Sequence, residues 1–163
     1  MAAGSTYTPI ATTTLGSNQT SITFSSLGSY TDLILIFNGK TTSTGGWNFF
    51  LRFNGDTSTN YSATVIYGDG TTAASARGTN NTSTGGWFVD GTNPGTVIAN
   101  IMNYGNSSTF KTVIGRGNNT GIGTDARVGL WRNTSAITSI LAYTNGGDWA
   151  AGSTFTLYGI AAA

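Results

Sequence analysis

Strand-length runs of apolar or alternating residues recur along the whole chain, each closed off by Gly, Asn, Asp or Ser, and no stretch of ten or more residues carries a helical period. That pattern leaves little freedom. Short strands separated by turn residues bury their apolar faces only by pairing and stacking, so the chain is expected to be all-β. An antiparallel β-sandwich of jelly-roll type is the expected architecture. Strands are expected near residues 10–15, 21–24, 32–38, 47–53, 63–67, 86–89, 96–104, 109–115, 126–132, 136–143 and 153–160. The abundance of Thr supports strands over helices, because branching at Cβ restricts a helical side chain and suits a pleated surface.

Three segments carry most of the packing information. DLILIFN, residues 32–38, is apolar on both faces and reads as a central strand covered on both sides. NFFLRF places Phe49, Leu51 and Phe53 on one face, with Phe50 and Arg52 opposite. In TFTLYGI, Phe155 and Leu157 share one face, while Thr156, Tyr158 and Ile160 share the other. At 163 residues one domain is expected. Residues 1–15 read as an N-terminal arm or first strand, with the arm as a contact segment, and residues 16–163 as a single β-sandwich domain. Residues 68–72, 91–95 and 115–123 read as turn-rich loops, and the region from Gly68 to Gly95 as loop-rich. The last of these, GRGNNTGIG, lacks the GxxxxGK[ST] arrangement and is followed by no helix, so it is no phosphate cradle.

Composition removes whole classes of chemistry. The chain has no His, no Cys and no Glu, which excludes histidine-dependent hydrolysis, cysteine nucleophiles and the usual zinc ligands. No pair of carboxylates or base–nucleophile pair is evident among six scattered Asp, so no catalytic residue is assigned, the chain is read as a non-enzyme, and no cofactor is expected. Seven dispersed Lys and Arg do not make the basic footprint that nucleic acid requires. No apolar run approaches a membrane span. Charged residues are only 8% of the chain, well below the usual surface of a free soluble domain, and a Thr, Ser, Asn and Gly surface suits a protein held in an assembly.

Three clusters invite a functional reading. Asn54, Asp56 and Asn60 supply oxygen ligands at the short spacing calcium uses, yet no second carboxylate lies among them. The same Asn54, Gly55 and Asp56 equally suit a turn in which side chains accept backbone N–H groups. STGGW occurs at residues 43–47 and again at 83–87, each a Gly-hinged loop delivering a Trp to a strand; Trp47 and Trp87 form either a glycan platform or half-buried core. Arg52, Arg116, Arg127 and Arg132 have Asp56, Asp125 and Asp148 as candidate ion-pair partners.

The opening YTPIATTTLGS, then SITFSSLGSYTDLILIFNG, FNGDTSTNYSATVIYGDG, SARGTN, IMNYGNSSTFKTVIGRG, VGLWRNTSAITSI and the terminal GSTFTLYGI resemble, in order and over nearly the whole chain, virion β-sandwich proteins of tailed bacteriophages, cyanophage-like ones above all. The resemblance implies a jelly-roll fold and one of two roles. The first is a capsid cement or decoration protein, a homotrimer on the capsid exterior that bridges and stabilises major capsid subunits. The second is a tail-fibre or appendage module that binds host-surface glycan. The initial Met and the lack of a long fibre segment favour the first. It further implies that Asn54, Gly55, Asp56 and Tyr61 are a fold signature, and that Arg77, Tyr104, Lys111, Arg116 and Trp131 are packing or pairing positions. Leu157 and Tyr158 would lock the last strand into its sheet.

Overall fold

A computed structural model describes residues 6–161. Among these, twelve strands build two sheets in which every pairing is antiparallel. They are β1 (Tyr7–Thr14), β2 (Ser21–Ser25), β3 (Asp32–Gly39), β4 (Trp47–Phe53), β5 (Tyr61–Gly68), β6 (Ala73–Asn81), β7 (Thr84–Val89), β8 (Gly95–Met102), β9 (Lys111–Asn119), β10 (Gly123–Trp131), β11 (Ser139–Thr144) and β12 (Thr154–Ile160). The larger sheet runs β1-β12-β3-β8-β9-β10-β5-β6 and the smaller β2-β11-β4-β7. The fold is therefore an all-β, antiparallel, two-sheet sandwich, and neither sheet closes on itself.

The core lies between the sheets and is built from alternate positions, as the period of two dictates. Leu33, Leu35 and Phe37 of β3 face Phe49, Leu51 and Phe53 of β4, all essentially inaccessible. Phe37, Phe49, Trp149 and Phe155 cluster with ring centroids 4.8–6.3 Å apart, within the range that favours tilted aromatic pairs. Each such ring contributes roughly 1.5–3 kcal/mol by leaving water.

Several expectations are corrected. β3 is covered on one side only: Ile34 and Ile36 are half-buried on a face that no other described element crosses. The region from Gly68 to Gly95 is not loop-rich, because it holds β6 and β7. Gly115 and Gly117 belong to β9, with the turn confined to residues 120–122. Their lack of a side chain serves packing: the Trp87 indole lies against β9, where a Cβ on Gly115 would collide with its six-membered ring and one on Gly117 would come within 3.0 Å of its Cβ. In the second STGGW, Gly85 and Gly86 sit inside β7 at φ of 97° and 99°, opposite an irregularity between Phe49 and Phe50. Of the two readings of residues 1–15, arm or first strand, residues 7–14 take the strand, at the edge of the larger sheet and paired with β12; residues 1–5 lie outside the described residues.

Candidate functional site

The end of β4 is held by side chains acting on backbone. Asn54 and Gly55 both adopt positive φ, 52° and 68°, and the Asp56 N–H closes the turn on the Phe53 carbonyl at 2.9 Å. Asn54 donates from Nδ2 to the Ala136 carbonyl at 2.8 Å and accepts at Oδ1 from the N–H groups of Thr138 and Ser139, stitching the β10–β11 connection to this corner. Asp56 accepts from the Ser58 N–H, from Asn60 Nδ2 at 3.0 Å and from Trp131 Nε1 at 2.7 Å. Tyr61 accepts the Phe53 N–H through its hydroxyl and faces the Phe53 and Asp56 carbonyls. Burial would raise the Asp56 pKa, but the hydrogen bonds from Trp131, Asn60 and Ser58 outweigh it and hold the carboxyl at about 2. Burial raises Tyr61 to about 12.

These contacts fit the turn reading of Asn54, Gly55 and Asp56. The Asp56 oxygens face N–H donors, Asn60 turns its amide nitrogen toward Asp56, and the Asn54 oxygen is spent on the backbone. No group of three or more His, Cys, Asp or Glu able to hold a metal occurs among the described residues.

The other sequence candidates scatter through the fold. Tyr61, Tyr104, Trp131 and Leu157 are buried, and the Tyr104 hydroxyl donates to the Gly28 carbonyl at 2.7 Å. Tyr158 lies half-buried on the far face of the larger sheet. Trp87 is 1% exposed and Trp47 packs partly buried against the core, so the two form no glycan platform. Both occupy the inward-facing register of their strands, Trp87 opposite Phe49. Of the expected ion pairs only Arg127 with Asp125 forms among the described residues. Arg52 donates instead to the Thr82 carbonyl and the Tyr143 hydroxyl, and Arg132 to the Thr59 carbonyl. Lys111 is buried, donates to the Thr109 and Thr134 carbonyls, and has its pKa pushed down by that burial.

Two surface features have the makings of a site. The first is the outer face of the larger sheet. Register aligns Tyr158, Ile34, Asn100, Ile114, Val128 and Thr64 in one cross-strand row. A second row aligns Ile36, Ile98, Arg116, Ala126 and Ile66. Six strands at about 4.8 Å spacing make this stripe roughly 24 Å across. Ile66, Ile114 and Val128 are 64%, 45% and 49% exposed, and a shallow groove of about 920 Å³ opens between Ile98, Arg116, Ala126 and Ile66.

The second feature is a cleft of about 710 Å³ where β5 and β6 extend past β7, the last strand of the smaller sheet. Phe50 and Tyr143 stack there with centroids 5.5 Å apart and planes at 26°, beside Asn48, Asn145 and Arg127.

No protein-family model matches the chain, and no curated protein matches its sequence. Among solved structures it is similar to Scytalido-glutamic peptidase with a peptide-based transition-state analogue, at 14% identity and a TM-score of 0.33, over 90% of this chain and 66% of that one. It is also similar to the Caenorhabditis elegans galectin LEC-6, at 9% identity and a TM-score of 0.35, over 90% of this chain and 94% of that one. At this level of likeness neither neighbour's activity nor its ligand extends to this chain.

Proposed function

We propose that this chain is a non-enzymatic virion structural protein, a jelly-roll-type capsid decoration protein that works as a homotrimer on the capsid exterior and bridges neighbouring major capsid subunits. The outer face of the larger sheet carries this reading. A broad stripe of Ile, Val and Tyr, interrupted by one interior charge, is unusual on a free monomer and suits a surface that spends its life against another protein. The resemblance to tailed-phage virion proteins supplies the partner. Because contacts on that face exist only in the assembled shell, each bound copy favours the shell by mass action. The non-enzymatic reading draws support from Asp56, Asp69, Asp90 and Asp125, which spend their carboxylates on N–H donors in separate parts of the fold.

Sedimentation of the protein with undecorated capsids tests the proposal. The wild type is expected to sediment as a trimer when alone and to pellet with capsids, whereas a folded Ile114→Asp/Val128→Asp variant stays in the supernatant. A monomer without affinity for capsids, or a double variant that pellets like the wild type, would refute it.

The cleft beside β7 favours a second reading, a tail-fibre or appendage module for host-surface glycan. The Phe50–Tyr143 stack offers a flat apolar surface for sugar C–H groups, and Asn48 and Asn145 offer amides for hydroxyls. Glycan-array binding that is lost on Tyr143→Ala would favour this reading over the first.

A further inference from the structure

The charges on the outer face are few, and the acid among them, Asp32, sits at its margin. Arg116 lies in the middle of the stripe, directly opposite Ile98 on β8 and Ala126 on β10. It is exposed, and among the described residues no hydrogen bond, ion pair or ring contact engages its guanidinium. Arg77, on β6 opposite Thr64, is likewise exposed and, among the described residues, unengaged; it sits three strand spacings across and one row along, about 16 Å away, where it also borders the cleft beside β7. The acids at the margins are already occupied. Asp32 at the start of β3 accepts the Asn103 N–H at 2.6 Å, and Asp69 in the β5–β6 turn accepts from Thr71 and Thr72. Asp125 points into the sandwich, where it pairs with Arg127.

An unpaired guanidinium with Ile98, Ile114 and Ala126 beside it and Thr96, Asn118 and Thr124 past it tolerates the open state because water solvates it. Once an apolar partner covers the face, that solvation is lost, and an unanswered charge there would oppose docking strongly. The remedy open to a partner is a carboxylate placed for the planar two-pronged fork that Arg presents. Resting on the reading of this face as the capsid-docking surface, we propose that the capsid segment seated on it is acidic at its centre and apolar at its flanks, with a carboxylate answering Arg116 in the groove between Ile98 and Ile66. A more distant acid meets Arg77 at the rim. The apolar rows supply the contact and the Arg116 pair fixes the register, since sliding by one strand would set the partner's carboxylate against Ala126 or Ile98.

Binding to undecorated capsids, measured as Kd at low and at high salt, tests this with variants that touch nothing in the folded chain. Arg116→Gln is expected to weaken binding ~30-fold or more, as loss of one partner of a desolvated charge pair does. Arg116→Lys is expected to lose less, and Arg116→Glu more. Raising the salt should weaken the wild type more than Arg116→Gln. If Arg116→Gln binds like the wild type while Ile114→Asp/Val128→Asp does not, the acidic partner is wrong and the docking face stands. If none of these variants changes binding, the docking face itself is wrong. Tighter binding by Arg116→Glu would mean a basic partner and would overturn the inference directly.

Discussion

Replacing Asp56 by Ala removes the acceptor that three donors share, and the size of the loss follows from where those donors sit. Trp131 is 1% exposed and its indole N–H ends on Asp56 Oδ2, so water cannot take the place of the carboxylate without rearrangement. An orphaned buried donor costs about 1–3 kcal/mol. The Ser58 and Asn60 donors lie nearer the surface and recover most of their hydration, adding a fraction of that. A total of about 2–4 kcal/mol lowers the melting temperature of a chain this size by roughly 5–12 °C. The pH dependence gives an independent handle. The folded carboxyl titrates at about 2 against an ordinary value of 3.8, so Asp56 stabilises the fold above pH ~4 and that contribution disappears as pH falls toward 2. Because the group is partly exposed, we discount the shift to about 1–2 kcal/mol. Asp69, held at about 2, titrates over the same acid range, and the Asp90 pKa is also lowered, so the informative quantity is the difference between wild type and Asp56→Asn. Urea unfolding followed by tryptophan fluorescence from pH 2 to pH 7 should show that difference grow between pH 2 and pH 4 and then level off. An Asp56→Ala variant within about 0.5 kcal/mol of the wild type, or wild-type and Asp56→Asn curves that run parallel down to pH 2, would refute the reasoning.

Gly115→Ala should destabilise by about 1–3 kcal/mol or more, because its methyl group meets the Trp87 indole, and Trp87→Phe should recover part of the loss in a double-mutant cycle. Additive effects in urea titrations would contradict the contact. Tyr61 should ionise near pH 12 by absorbance at alkaline pH, whereas in the unfolded chain it titrates near 10. Its contribution is thus complete below pH ~10 and lost as pH rises from ~10 to ~12, and Tyr61→Phe should remove that part of the alkaline sensitivity.

How much of this was legible in the sequence depends on whether burial left a trace in the local pattern. Phe49, Leu51 and Phe53 alternate with Asn48, Phe50 and Arg52, and the core uses that alternation directly. AASARGTNN carries no such alternation and was missed as β6, because an edge strand exposed on nearly its whole length has nothing to bury. DLILIFN misled in the opposite direction: its outward Ile34 and Ile36 belong to an apolar surface, and composition does not separate a covered face from a face awaiting cover. Gly117 reads as a loop residue, and Gly115 as the point where a strand ends, because glycine marks both turns and places where a large neighbour presses on a strand; only the fold shows Trp87 there. Neither the stripe nor the cleft could be read at all. Both depend on register among strands distant in sequence, which sets Arg116 beside Ile98 and Phe50 against Tyr143.

The pairing of β1 with β12 has a consequence for how the chain comes to exist. Tyr7 lies opposite Ile160, and β12 is wedged between β1 and β3. During synthesis the earliest strand therefore emerges with no place to go until the latest one has left the ribosome. Only β5–β6, β8–β9 and β9–β10 join neighbours in both sequence and space, so these hairpins are the pieces able to form early. The nascent protein is expected to stay protease-sensitive at both β1 and β3 until residues 154–160 are free, then to close the larger sheet in a single late step.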